Sequence, residues 1–376
     1  MRIAFSGAGL RTAHVLKIFR EKHPDVEFVG YYDPAPTMLH ELGNDIPAYE
    51  SVEQMLAKSA PDLFFVGSPN TFHLDHITHG LKAGIRMLSE KPVVTSIEDT
   101  FTLCELLAEY GHEQVMVGLV LRYSDNMLDL QDSLRQGHLG QITSIEANEL
   151  IAPYHGAFFM RDWRRSTALS GGFMLEKCCH DLDIYNMITG SRPGRVASFG
   201  SKRTFLPEYQ SQSELEVYHT KKSVWNSADN PFSSDADIID SQNAILEYES
   251  GANMSFHTNL NVPDEHRRFC VIGTHGMAEG DFHRGYLRVT TASANTRVFD
   301  KNYKEDGEET LGHYGADANM VDDILKHLNG TAALPVSVVD ALEAGVAALA
   351  IDQARVQGKV IDLTETWSRF DSYNLR

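Results

Sequence analysis

Short apolar runs alternate with helical periodicity through the first third of the chain. Residues 2–6, 27–32, 63–67, 86–89 and 115–118 read as strands, and helices are expected after Gly9, at Thr37, at Ser51, near Thr71 and near Ile97. That rhythm predicts a parallel sheet covered by helices. From about residue 120 the pattern changes, with strands expected over 141–149, 195–203, 244–249, 252–259, 268–272 and 285–290. Helices are expected over 124–136, 174–190, 319–328 and 338–357. Many strands with few helices between them predict a large, mostly antiparallel sheet. The fold class is thus α/β: a doubly wound parallel sheet over residues 1–119, then an α+β domain over 120–376. Residues 202–242 are polar and without clear period apart from Trp225, which suggests a lid, a binding loop or an assembly element.

Composition narrows the partners. With 376 residues the chain is long enough for two cores. A formal charge of −19 argues against nucleic acid and anionic membranes, which need a basic footprint. A dinucleotide is still compatible, because a helix N-terminus supplies its own positive end. Cys104, Cys178, Cys179 and Cys270 have no C-x-x-C spacing, no metal site is expected, and the N-terminal run has no signal-peptide core. A soluble cytoplasmic protein is the expectation.

Three segments carry candidate chemistry. Gly7-Ala8-Gly9 follows the first strand and supplies two glycines of a dinucleotide turn, with Thr12 at the third position. Asp33 closes the second strand where a ribose-binding acid is expected, which favours NAD over NADP; it is also a turn residue before Pro34. Arg11 dissents, since a cation beside the turn could engage a phosphate. Next, Glu90-Lys91-Pro92 closes the fourth strand, at the edge where open α/β sheets bind ligands. Taken alone it is equally a solvated ion pair. Finally, Glu176 and His180 stand four apart on a predicted helix after Gly171-Gly172, so a carboxylate there could orient an imidazole. Lys91 and His180 suit the exchange of a hydroxyl proton.

Together these segments resemble the Gfo/Idh/MocA family of nicotinamide-dependent sugar and polyol oxidoreductases. The resemblance implies a Rossmann-type N-terminal domain and a chemical trio of Lys91, Glu176 and His180, although the family acid is usually aspartate. It places Ser68, Pro69, Asn70 and His73 near the cofactor, along with Glu90, Trp163 and Arg164. Arg122, Tyr123, Asp183 and His313 become candidate substrate contacts beside Lys91 and His180. It further implies that one face of the C-terminal sheet pairs with another subunit, giving a homo-oligomer, dimer or tetramer. The expected activity is hydride transfer between NAD and a secondary hydroxyl of a sugar, polyol or related cyclic compound. An NAD-dependent glycosidase working by transient oxidation, and a non-catalytic dinucleotide sensor, stay open beside it.

Overall fold

The computed structural model describes residues 1–293, 296–304 and 312–376. The first sheet contains β1 (Arg2–Ser6), β2 (Glu27–Tyr32), β3 (Leu63–Val66), β4 (Met87–Ser89) and β5 (Val115–Val117), and α1 (Leu10–Lys22), α2 (Val52–Ser59), α3 (His73–Lys82) and α4 (Ile97–Tyr110) connect them. All pairings are parallel in the order β2-β1-β3-β4-β5. Its strands are apolar on both faces, as a helix-covered parallel sheet requires: Ile3, Phe5, Phe64, Phe65, Val66 and Leu88 are fully buried. The order reverses between β1 and β3, and at such a switch point the carboxyl ends of the strands leave a crevice.

The walls of that crevice explain the departure from the three-glycine pattern. Gly7 has φ +81°, and a Cβ there would stand 2.5 Å from the Gly67 carbonyl oxygen, so the turn after β1 must lack a side chain. Thr12 fits at the third position because its neighbour is also a glycine. A Cβ on Gly67 would lie 2.3 Å from Thr12 Oγ1. The small residue has moved from the helix to the end of β3.

The second part of the chain opens with α5 (Asp125–Arg135), β6 (Ile142–Leu150), α6 (Pro153–Arg161), α7 (Thr167–Ser170) and α8 (Phe173–Thr189). It continues through β7 (Pro193–Ser201), β8 (Ser241–Tyr248), β9 (Asn253–Asn259), β10 (Arg268–Gly273), β11 (Gly276–Asp281), β12 (Tyr286–Thr291) and β13 (Thr296–Asn302). The chain closes with α9 (Ala316–Leu328), α10 (Val338–Gln357), β14 (Ile361–Asp362) and α11 (Thr364–Asp371). The nine strands run β13-β12-β11-β10-β6-β9-β8-β7-β14, antiparallel except for the β6–β9 pair. In β8 and β9 buried and exposed residues alternate, so one face of the sheet is covered, with α8 against β6 and α10 against β7, and the other is open.

Some elements differ from the sequence expectation. A helix at Thr37 is replaced by a single turn over Leu39–Glu41. The helices α6, α7 and α11 and the strands β11, β13 and β14 lie outside the sequence expectation. In β13 every residue but one is exposed, so that edge strand has no apolar period to read. Substituting Gly67→Ala should destabilise the protein by about 1–3 kcal/mol, the usual range for overpacking. Adding Thr12→Ala should recover part of the loss in chemical denaturation; no recovery would separate the two positions.

Candidate active site

A cavity of about 810 Å³ runs from the turn after β1 into the C-terminal domain. Gly7, Gly9, Asp33, Ser68, Pro69, Asn70 and His73 line its first end. Glu90, Lys91, Trp163, Arg164, Glu176, His180 and His313 line the other. The glycine turn, the end of β4 and the start of α8 therefore meet at one space. Ala8 and Thr12 stand outside the lining: Ala8 donates its N–H to Asp33 Oδ2 at 2.6 Å, and Thr12 is buried against Gly67.

The first end fits a dinucleotide. Around a Cβ placed on Gly9 there is no atom within 4 Å, and α1 begins there without a side-chain cap. Backbone N–H groups are thus open to an anion at the helix start. Asp33 accepts from Ala8 and Ala35 N–H groups while facing the cavity. Arg11 is engaged elsewhere. Its Nε donates to Glu90 Oε1 at 2.7 Å and its Nη1 to Asp317 Oδ1 at 2.6 Å, so its charge is already matched by two carboxylates.

At the second end Lys91 is fixed from below. Its Nζ donates to the Glu176 carbonyl and lies 3.5 Å from Glu176 Oε1, whose other partner is Arg164 Nε at 2.7 Å. Burial alone would raise the Glu176 carboxyl, but Lys91 and Arg164 hold it below the usual carboxylate range. Helical spacing suggested that Glu176 orients His180; the structure corrects this, because the carboxylate turns to the two cations. Among the described residues His180 Nδ1 is buried with no hydrogen-bond partner. Burial, then Lys91 and His313, push the imidazole well below its ordinary value, so it is neutral near pH 7. The His313 ring stands 5.9 Å from it, centroid to centroid.

His73 serves the backbone. Its Nδ1 lies 2.8 Å from the Pro92 carbonyl oxygen and its Nε2 2.8 Å from that of Ser68, which ties the Glu90-Lys91-Pro92 segment to the β3 turn. Asn70 likewise donates to the Ser170 carbonyl at 2.9 Å across the two domains. Arg122, Tyr123 and Asp183, expected as substrate contacts, are not brought to the cavity lining. Arg122 makes a bidentate pair with Asp183 at 2.8 and 2.6 Å, and all three side chains are buried away from the cavity lining. A guanidinium and a carboxylate already matched in the interior have little left for a ligand.

Several lining residues escaped the sequence reading: His155, Phe158 and Phe159 of α6, Lys177 of α8, and Lys221 and Val224 of the 202–242 segment. That segment is packed. Phe205, Tyr218 and Phe232 form a buried aromatic group, Arg161 Nη2 donates to the Lys221 carbonyl at 2.8 Å, and Ser223 Oγ donates to Asp162 Oδ2 at 2.8 Å. Trp225, the residue of that stretch singled out in the sequence, also lines the cavity and was the available signal.

Comparison with known proteins agrees with this architecture. Residues 1–119 match the model described as "Oxidoreductase family, NAD-binding Rossmann fold", and residues 127–279 match the "GFO/IDH/MocA C-terminal domain". The chain belongs to the Gfo/Idh/MocA family. Family membership makes the N-terminal sheet an NAD-binding Rossmann domain. The protein YteT of Bacillus subtilis (strain 168) is 25% identical over 273 residues, 62% of this chain and 64% of that protein. An inositol 2-dehydrogenase of Corynebacterium glutamicum is 21% identical, with 81% of this chain and 77% of that protein aligned. The first curated relatives are matched over about half to two thirds of their length. Among solved structures, scyllo-inositol dehydrogenase from Lactobacillus casei, described with bound NAD(H) and scyllo-inositol, superposes with a TM-score of 0.73 at 20% identity. That superposition covers 96% of this chain and 99% of the other.

The electrostatics of the site give a direct test. In histidine-labelled protein, with His180→Gln used for assignment, the His180 ring should stay neutral on acidification through pH 6. A midpoint at or above 6.5 by NMR would contradict the burial argument.

Proposed function

We propose that this protein is an NAD-dependent dehydrogenase that oxidises a secondary hydroxyl of a sugar, polyol or related cyclic compound. The observation that carries the reading is the convergence of Lys91 and His180 on a cavity continuous with the open backbone at Gly9. Bound NAD supplies a hydride acceptor. The chain does the rest: Gly7 and Gly9 would admit the pyrophosphate, and Asp33 would accept from ribose hydroxyls. Neutral His180 takes the hydroxyl proton, and Lys91, held by Glu176, donates a hydrogen bond to the same oxygen as charge develops on it. Glu176 acts as a positioning residue for Lys91 rather than for His180. The relatives named for inositol oxidation support a cyclic polyol as substrate class.

The reading extends to assembly and compartment. Phe199, Ile245 and Ile272 are 78%, 63% and 43% exposed on the open face of the nine-stranded sheet, which favours a homo-oligomer built on that face. The four cysteines are unpaired, which favours a reducing cytoplasm. No helix among the described residues is long and apolar enough to cross a membrane.

Lys91→Ala and His180→Ala should each lower turnover by about 10² or more, the scale of positioned acid-base groups. NAD affinity should change no more than a few-fold. With a panel of cyclic polyols and excess NAD, NADH should accumulate in proportion to ketone. A glycoside that loses its aglycone with no lasting NADH would replace net oxidation by oxidation-assisted cleavage. Because Arg11 is already matched, Asp33 should decide cofactor choice: NADH should bind at least tenfold more tightly than NADPH, roughly 1.4 kcal/mol. Equal affinities in fluorescence titration would contradict that assignment.

A further inference from the structure

Five cations line the cavity, and four have carboxylate partners. Arg11 pairs with Glu90 and Asp317, Lys91 with Glu176, Arg164 with Asp162 and Glu176, and Lys177 with Glu149 at 3.1 Å. Lys221 is the fifth. Among the described residues its Nζ makes no ion pair or hydrogen bond; it sits 4.6 Å from the centre of the Phe158 ring. That contact satisfies little of an ammonium's hydrogen-bonding capacity, since its three donors find no protein acceptor among the described residues. The surrounding charge adds to the imbalance. Burial, then Lys177 and Arg164, push the Lys221 ammonium down to about 7 against the pull of Glu176 and Asp162.

The position of this charge is built. Arg161 holds the Lys221 carbonyl, and Ser223, two residues on, is anchored to Asp162. Phe158 and Lys177 belong to helices whose other residues, His155 and His180, also face the cavity. A lysine held over an aromatic wall of the cavity that Lys91 and His180 also line, without a counter-ion among the described residues, is arranged for one that arrives with the substrate.

We infer that the substrate is anionic, a cyclic polyol or sugar carrying a carboxylate or a phosphate, and that Lys221 is the residue that binds that group. This deepens the dehydrogenase reading and rests on it for the ring and the hydroxyl. The 202–242 segment then has a definite role, which is to bring a charge-specific contact to a cavity whose other cations are already matched.

Titration calorimetry on the NADH-saturated protein tests this without turnover, using D-glucose, D-glucuronate and D-glucose 6-phosphate, and the pair D-galactose and D-galacturonate. At least one anionic ligand should bind ten or more times tighter than its neutral counterpart, and the uronate and phosphate arms identify which anion is favoured. Lys221→Met should remove most of that advantage, and Lys221→Arg should retain it, with NADH affinity in both variants within about twofold of the parent as the folding control. Anionic ligands that bind no tighter than neutral ones, or an advantage that survives Lys221→Met, would overturn the inference. NADH production judges the dehydrogenase reading separately. Turnover of neutral rings without anion preference would sink only the role of Lys221, whereas tight anion binding with no turnover of any ring would sink only the dehydrogenase.

Discussion

The buried carboxylate of Glu176 is the charge around which the two domains are joined. An unpaired carboxylate in that position would carry a heavy desolvation cost, and its two partners come from different parts of the chain: Lys91 from the end of β4 and Arg164 from the turn before α7. Removing one partner of such a buried pair typically costs about 3–5 kcal/mol. Lys91 is therefore held at the cavity by the same interaction that satisfies Glu176. The rest of its segment is clamped with equal economy. Glu90 is taken by Arg11, the Pro92 carbonyl by His73, and Arg11 reaches on to Asp317 of α9. Every residue of Glu90-Lys91-Pro92 thus has a partner that fixes the strand end; the Lys91 link crosses to the C-terminal domain, and Glu90 is tied there through Arg11 and Asp317.

Those links reconcile an acidic protein with an anionic cofactor. The chain carries a net −19, but at the cavity Glu90, Asp162, Glu176 and Asp317 are paired with cations. Asp317 shows the effect most clearly. Burial would raise its carboxyl, yet hydrogen bonds from His14 and His313 and the charge of Arg11 hold it far below the ordinary range. The same burial leaves His313 neutral, pushed down to about 4. Local pairing, rather than net charge, sets the field that a dinucleotide would meet.

The parallel sheet was legible because its strands are buried on both faces and separated by helices of ordinary length. The cavity's position followed from Gly7, Asp33 and Lys91 at the ends of those strands. Side-chain partners were less legible. A spacing of four placed Glu176 and His180 on one face but could not reveal Arg164, twelve residues earlier, as the stronger claimant for the carboxylate. Arg122 and Asp183 looked like free polar groups until the fold closed them on each other. Lys221 had no local signal at all. Its significance lies in the absence of a charge partner among the described residues, a property of the folded neighbourhood rather than of any motif. The third glycine teaches the converse lesson: Thr12 departs from the pattern, and Gly67, 55 residues away, compensates.

The central claim is that the cavity brings a carbinol carbon and a nicotinamide together for direct hydride transfer between Lys91 and His180. Isotope transfer tests it most directly. With a ring substrate deuterated at the oxidised carbon and unlabelled NAD, mass spectrometry should find the deuterium on the reduced nicotinamide, accompanied by a slowed hydride-transfer step in single turnover. Reduced cofactor that contains no deuterium, or label lost to solvent before reduction, would contradict the account.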